Sequence, residues 1–485
     1  MKTITFNSKI SLMRHVALAL AVSSCLIAGC SLAPIYERPP APIPAHWQAE
    51  VLNQGKETAP LSDAPLDWRS FVINESLRNL VATALENNRD LRQTILNIEA
   101  ARAQYRVQRA DRLPSISLNG TGSRQRVPGD LNVSGESGVV TSYQAGIALT
   151  AFEVDLFGRV KSLSDAALQE YFAIEANANA ARLGLVAEVI QAYLARDSAY
   201  RRLALTRQTL DSRNKSLELV SKRREAGTTT VLDYQEAFGL REQAKADFER
   251  IDRELRQAVN ALQLLVGVSD LDKFLPQEPI DMPFVRQIVP GAPSDLLTNR
   301  PDILAAEYRL RSKNASIGAA RAAFFPRITL TTALGSSSAA LSGLFESGQN
   351  SWSFLPQLSL PIFQGGQNVA NLDLATVRKD MAIAEYEKTI QVAFREVSDA
   401  LDASATLKRE EESRRSLRDA SSETLRLSEA RYKAGVDNHL RYLDAQRSHY
   451  ANEIGVIESR TSRQIALTSL FKSLGGGWKL EPEER

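Results

Sequence analysis

The sequence predicts a mainly α-helical chain that also contributes four β-strands to a membrane, built as a tandem duplication. One order of motifs occurs twice, first at an offset of 212 residues (Asp90 and Asp302) and then of 208 (Gly158 and Gly366). Each copy holds two segments of alternating apolar and polar residues and a long stretch with almost no Gly or Pro. A repeat of this size indicates duplication of a whole structural unit rather than a short-period solenoid.

The N-terminus predicts a cleaved signal peptide at 1–29 followed by a lipid anchor. Three basic residues precede a short apolar stretch, 16–28, which is too short to cross a bilayer. It ends in Ala-Gly before Cys30, which resembles a bacterial lipobox. That resemblance implies N-palmitoyl and S-diacylglycerol groups on Cys30, and Ser31 after it implies sorting to the outer membrane. Several acyl chains anchor stably, since each buried methylene adds about 0.8 kcal/mol.

Composition excludes several classes of function. The full chain has a net charge of +2; removing 1–29 leaves 56 basic against 57 acidic residues, too balanced for nucleic-acid binding. Cys25 leaves with the signal, so the mature chain can form no internal disulfide. Seven prolines lie within 30–65, which predicts an extended, lipid-anchored strap.

The first repeat is predicted at 66–267. Its first helix is expected over 75–109, and Pro114 then stops helical periodicity. Strands are expected from Ile116 and again near 143–149, on either side of a loop at 123–141. Each strand spans roughly ten residues, enough to cross a bilayer when tilted.

Long helical hairpins follow the strands. Residues 160–226 contain one glycine and no proline, and the return arm carries coiled-coil spacing. A proline-rich connector is predicted at 268–293, and the second repeat at 294–475. The second repeat has the same order of helix, two strands and hairpin, with a Gly/Ser loop at 335–350; residues 476–485 form a tail.

Four strands cannot seal a membrane barrel alone. An open sheet in lipid leaves backbone N–H and C=O groups unpaired at several kcal/mol each, and known barrels need about eight strands or more. The chain is therefore expected to share one barrel among several copies. The long hairpins are expected to project from one side of the membrane as a helical tube.

Several motifs resemble those of TolC-like outer-membrane factors, in the lipoprotein (OprM/NodT-type) branch that serves resistance–nodulation–division (RND) pumps. They include LLTNRPDI at 296–303, IGAARAAFFP at 317–326, DLFGR at 155–159, RYKAGVDN at 431–438 and LGGGW at 474–478. The resemblance covers nearly the whole mature chain, in order. It implies a homotrimer with a 12-stranded β-barrel, a periplasmic α-helical coiled-coil barrel and an equatorial belt.

The resemblance also implies a role and partners. The chain would be the passive exit duct of a tripartite efflux pump, assembled with a periplasmic membrane-fusion adaptor and an inner-membrane RND pump. In the family, the periplasmic hairpin ends close like an iris and touch the adaptor. The residues that this implies for the constriction are Asp437, Leu440, Arg441, Asp444 and Tyr432. Those at the tips, for adaptor docking, are Gly227 and Gly435, both predicted to be left-handed helix caps.

Alternatives remain open. Asp444 and Arg441 could be solvated charges on an amphipathic hairpin. The cargo could be copper or silver, although only Met282 and Met381 follow the signal, which favours organic compounds. A protein-secretion duct is a second alternative, against which the lipobox argues mildly. A structural trimeric coiled-coil surface protein would fit the helix content alone, but the paired strands in both repeats argue against it. No catalytic or metal motif appears, no cofactor is expected beyond the lipid on Cys30, and His439 and His449 are interpreted as surface residues.

Overall fold

A computed structural model describes residues 31–44, 67–132, 135–275, 283–288, 297 and 300–476. The chain divides into two compact units. One holds residues up to 39, 98–174 and 306–386; the other holds 40–97, 175–305 and the chain from 387 on. Among the described helices, none has both the length and the apolar character that a membrane span requires.

The described residues form eight α-helices and four strands, and one order of elements occurs twice, as the predicted duplication requires. The first set is α1 (Trp68–Phe71), α2 (Glu75–Asn87), α3 (Arg89–Ala110), β1 (Ile116–Val127), β2 (Gly138–Val154), α4 (Arg159–Glu225) and α5 (Val231–Val266). The second set is α6 (Pro301–Ala322), β3 (Arg327–Ser338), β4 (Asn350–Ser359), α7 (Gln367–Lys433) and α8 (His439–Ser473).

The first predicted helix is in fact two helices. The expectation of one helix over 75–109 is wrong, because Asn88 adopts extended backbone geometry and ends α2. Its side-chain Oδ1 accepts a hydrogen bond from the N–H of Leu91 at 2.8 Å, while its Nδ2 donates to the carbonyl of Leu265 at 2.9 Å. Asn88 therefore caps α3 and ties the break to the end of α5.

The long helices are unbroken. Helices α4 and α7 have 67 residues each, roughly 100 Å at 1.5 Å per residue. Their return arms, α5 and α8, have 36 and 35 residues. The two hairpins therefore match in length to within one residue.

The four strands form one antiparallel sheet in the order β1-β2-β3-β4. Strands β1, β2 and β3 have 12, 17 and 12 residues and are longer than the roughly ten expected, while β4 has 10. The loops expected at 123–141 and 335–350 are therefore shorter. Polar and small residues such as Arg124 and Ser337 take part in the ladder. Cross-strand backbone pairing extends the strands beyond the apolar alternation.

The sheet has two chemically different faces. One cross-strand row joins Leu118, Ile147, Leu334 and Trp352, and all four side chains are exposed in the single chain. The adjacent row on the other face consists of small or polar residues. It comprises Asn119, Gly146, Gly335 and Ser351. One face thus presents large apolar groups and the other small polar ones.

The second unit has an aromatic core. Phe71 stacks on Phe471 with ring centroids 4.3 Å apart, and Tyr193 packs edge-on against Phe284 at 5.3 Å. All four side chains are buried. Short antiparallel pairing around Val72 and Val285 joins the start of this unit to the part of the connector that the structure describes.

In the first unit the strap docks on α6 through one buried carboxylate. Glu307, whose side chain is 3% exposed, accepts hydrogen bonds from Arg38 (3.2 and 2.7 Å), from the Tyr36 hydroxyl (3.1 Å) and from Arg311 (2.7 Å). Burial, then the Glu307 charge, raises the pKa of Tyr36 to about 12, so its hydroxyl remains a donor. The carbonyl of Pro34 accepts from the Asn314 amide at 2.7 Å.

Glu307→Gln is expected to release the strap. Gln keeps one acceptor oxygen but loses the negative charge and the second acceptor. Because charge-assisted hydrogen bonds contribute about 1.5–3 kcal/mol each, this change should speed amide exchange across 31–38 by about tenfold or more. Hydrogen–deuterium exchange of that peptide measures the effect. Arg309→Gln, an exposed change on the same helix, is the control. Equal exchange in both variants would show that Glu307 does not hold the strap.

Several expectations fall outside the described residues. These are the signal 1–29, the lipidation site Cys30, the strap from 45 on, connector residues 276–282 and 289–293, and the tail beyond 476. The domain boundaries drawn from the sequence therefore stay predictions.

Candidate functional site at the hairpin tips

Both hairpins reverse through the same helix-capping motif. Gly227 and Gly435 have φ of 71° and 72°, as predicted. The residue after each glycine donates its N–H to the carbonyl five residues earlier in the chain. Thr228 donates to Arg223 at 2.8 Å, and Val436 donates to Arg431 at 2.9 Å. This pattern is a Schellman motif, which requires a left-handed residue at the glycine position.

The two return helices begin differently. Thr230 and Asp233 form a reciprocal capping box on α5, with hydrogen bonds of 2.7 to 3.1 Å. On α8 the Asn438 side chain accepts from the N–H of Arg441 at 3.2 Å, and Arg441 stands where the capping-box carboxylate would be. The second tip therefore has no counterpart to the capping-box carboxylate of Asp233.

Asp437 compensates by closing the second turn. It accepts two hydrogen bonds from the Arg431 guanidinium, at 2.7 and 2.9 Å, and Arg441 Nε lies 3.8 Å from its Oδ2. The Arg431 hydrogen bonds hold the pKa of Asp437 below its usual value. Asp437 is thus charged and paired within its own hairpin, with two arginines around it.

Tyr432 links the two hairpins. Its hydroxyl accepts a hydrogen bond from Arg223 of α4 at 2.7 Å, and its ring stacks on Tyr442 with centroids 5.5 Å apart. His439 packs against Tyr432 at 5.0 Å and is only 7% exposed, so its interpretation as a surface histidine is wrong. Burial lowers the pKa of His439, which favours a neutral imidazole inside this aromatic cluster.

Leu440 and Asp444 share one face of α8, as their spacing predicts. They line a groove of about 290 Å³ against α5, where Leu240 and Gly239 form the opposite side. The Asp444 carboxylate pairs with Arg447, one turn further along α8. Both predicted residues are exposed, Leu440 at 47%.

The structure therefore brings all five predicted constriction residues into the second tip, although Arg441 faces the turn and Leu440 and Asp444 face the groove. Sequence reasoning missed Arg431, Arg223 and His439. Arg431 and Asp437 are six residues apart, and they meet only because the intervening turn is left-handed at Gly435. A basic residue at the end of a helix followed by an acidic residue after the capping glycine is the signal that could have found this pair.

Within the part of the chain that the structure describes, no group of three or more His, Cys, Asp or Glu side chains is placed to hold a metal ion.

Comparisons with known proteins agree with this architecture. The family model described as outer membrane efflux protein matches residues 80–268 and 292–476. The chain is 59% identical to outer membrane protein OprJ of Pseudomonas aeruginosa over 466 residues, which covers 95% of this chain and 96% of the relative. It is 42% identical to the toluene efflux pump outer membrane protein TtgC of Pseudomonas putida, covering 95% of each.

A solved structure confirms the fold. The Neisseria gonorrhoeae MtrE outer membrane channel in its open state superposes with a TM-score of 0.81 at 38% identity, covering 92% of this chain and 98% of that one. The predicted fold class and outer-membrane location are thereby confirmed, and the chain belongs to the outer membrane efflux protein family.

Proposed function

We propose that three copies of the chain form one passive exit duct, with a shared 12-stranded barrel in the outer membrane. The observation that carries this is the sheet itself. It has one large apolar face and one small polar face, and its two edge strands, β1 and β4, have no further partner strand among the residues that the structure describes. In lipid those edges must pair, and β1 of one copy with β4 of the next closes the barrel. The apolar face then meets lipid and the polar face lines the lumen.

The lipid anchor is part of the proposal. Acyl groups on Cys30 would hold the N-terminus in the same membrane as the barrel. Support comes from the strap. Its residues Tyr36 and Arg38 follow that cysteine closely in sequence, and both contact Glu307. Docking restricts where the anchor can reach.

The hairpins are proposed to extend into the periplasm and meet a membrane-fusion adaptor, with an inner-membrane RND pump supplying the energy. The basis is the pair of matched hairpins, each ending in an exposed Schellman turn. Family membership as a channel component favours a transport role over a structural coiled-coil surface protein.

Organic compounds are the proposed cargo. Relatives at 42% identity carry names that record toluene and antibiotic efflux. Deleting the gene and measuring susceptibility to antibiotics, solvents and copper or silver tests this directly. Increased sensitivity to organic compounds with unchanged metal tolerance is expected, and the reverse would favour the metal-duct alternative.

The constriction is proposed to lie at the second tip, built by three copies of Asp437, Leu440, Arg441, Asp444 and Tyr432. Supporting features are the exposure of Leu440 and Asp444 and the charged turn at Asp437. Around a threefold axis these residues would form apolar and acidic rings.

Gly435→Trp is expected to impair adaptor docking and drug resistance while leaving the barrel assembled. A Cβ at Gly435 meets nothing within 4 Å, so the indole would project outward from the tip. Gly435→Ala is the matched control, since both variants carry the backbone strain of φ 72°, roughly 1–2 kcal/mol, but only Trp adds bulk. Minimum inhibitory concentrations and adaptor cross-linking measure the effect. Equal loss in both variants would assign it to strain instead of docking.

A further inference from the structure

A basic cavity lies in the second unit and shares no lining residue with the groove at the hairpin tips. It has a volume of about 340 Å³ and lies where the connector segment 283–288 meets α7 and α8. Four arginines line it, and Glu411 is the only acidic side chain among the described residues that does so. The arginines are Arg286, Arg415, Arg460 and Arg463.

Glu411 organises two of these arginines. Its side chain is 5% exposed, and its two oxygens each accept one hydrogen bond, from Arg415 at 2.6 Å and from Arg463 at 3.0 Å. Burial would raise the pKa of Glu411, but these two hydrogen bonds more than offset it, so the pKa is lowered and the carboxylate stays charged. Each guanidinium has five N–H donors, so one bond to Glu411 leaves further donors on both.

Arg286 is held in place through its backbone. Its N–H donates to the carbonyl of Phe71 at 2.9 Å, and the N–H of Phe284 donates to Gln464 Oε1 at 2.7 Å. The segment is thus fixed on both sides of Val285, while the Arg286 side chain itself is exposed. A fixed backbone limits the ordering cost of a ligand bound at this side chain.

The remaining wall is mainly aliphatic, with two amide side chains, Gln287 and Gln464, beside the apolar ones. Ile73, Pro283, Val285 and Leu467 line the cavity beside the arginines. A volume in the low hundreds of Å³ suits a ligand of small-molecule size. The site therefore combines an excess of guanidinium donors with room for small apolar groups.

We propose that this cavity binds the terminal carboxylate of a short peptide with small aliphatic side chains. Guanidinium groups recognise carboxylates through paired, charge-assisted hydrogen bonds, and the aliphatic wall would contact the methyl groups. The proposed function places this unit in the periplasm, where cell-wall peptides end in such carboxylates. Such a peptide could be part of the cell wall or free in solution, and in both cases the group that the arginines would bind is its terminal carboxylate.

N-acetyl-D-alanyl-D-alanine is the probe, titrated calorimetrically into the purified full-length protein at low salt. Saturable binding is expected for the acid and none for its C-terminal amide. Arg286→Gln should weaken binding about tenfold, because it removes one charge-assisted hydrogen bond to the carboxylate. Arg414→Gln is the matched control: Arg414 neighbours Arg415 but pairs with Glu410 at 3.5 Å and does not line the cavity.

Three results would overturn the proposal: no saturable binding of the acid, equal binding of acid and amide, or equal binding by wild type and Arg286→Gln. Displacement by inorganic phosphate at matched concentration would overturn peptide specificity. Cosedimentation with isolated cell-wall sacculi distinguishes a wall-borne ligand from a soluble one. The binding assay needs no efflux, so this inference and the proposed transport role can fail independently.

Discussion

Replacing Gly146 by Val is expected to abolish the conducting channel. Gly146 lies directly opposite Gly335 on the small polar face of the sheet, and the two backbones approach closely there. A Cβ on Gly146 would lie 2.5 Å from the carbonyl oxygen of Leu334 and 2.7 Å from the Cα of Gly335. Since neither atom can move without shifting a strand, we expect about 3 kcal/mol or more of destabilisation per copy.

Gly120→Val is the matched control for this prediction. Gly120 lies in the neighbouring strand β1, pairs with Ala145, and has nothing within 4 Å of its Cβ position. Single-channel recording in planar bilayers, together with heat stability of the oligomer, measures both variants. Normal conductance in Gly146→Val would contradict the packing of β2 against β3.

Replacing both Asp437 and Asp444 by Ala is expected to raise single-channel conductance severalfold. Asp437→Ala removes the carboxylate that accepts both hydrogen bonds from the Arg431 guanidinium, and so loosens the turn between α7 and α8. Asp444→Ala removes the carboxylate that pairs with Arg447 in the groove facing α5. If three copies of these residues close the duct, their loss relaxes the narrowest ring.

Glu423→Ala is the control for the gate prediction. It also removes an exposed carboxylate paired with an arginine of the same hairpin, Arg426, but lies away from the tip. Conductance of the double variant equal to that of Glu423→Ala would remove Asp437 and Asp444 from the constriction.

The Asp437 turn, which belongs to the proposed constriction, should also keep its charge into mild acid. Because Arg431 lowers the pKa of Asp437, the stabilisation from this pair is fully present above the ordinary aspartate pKa of about 3.9. It is lost only as the pH falls through the lowered value. The difference in single-channel conductance between the wild type and Asp437→Ala should therefore be the same at pH 7 and at pH 5.

Much of the fold could be predicted because its elements are long and their signals local. The 67-residue helices follow from stretches nearly free of Gly and Pro. The break at Asn88 could not be predicted, because an Asn side chain that caps a new helix looks the same in sequence as one within a helix. Strand ends were missed for a similar reason: ladder pairing continues through polar residues that carry no apolar alternation.

The site was harder to predict than the fold. Helix spacing correctly places Leu440 and Asp444 on one face, since residues four apart are neighbours. No such rule covers Arg431 with Asp437 or Arg223 with Tyr432, which meet across a turn and between two hairpins. The burial of His439 likewise depends on two tyrosines, Tyr432 and Tyr442, supplied by different helices.

Native mass spectrometry of the mature, lipidated protein released from detergent tests the shared barrel most directly. The proposed 12-stranded barrel, with β1 of each copy paired to β4 of the next, predicts a complex of three chains, since each chain contributes one four-stranded sheet. A stable single chain that still contains its β-sheet would contradict the account, because such a sheet could not seal its own edges in lipid.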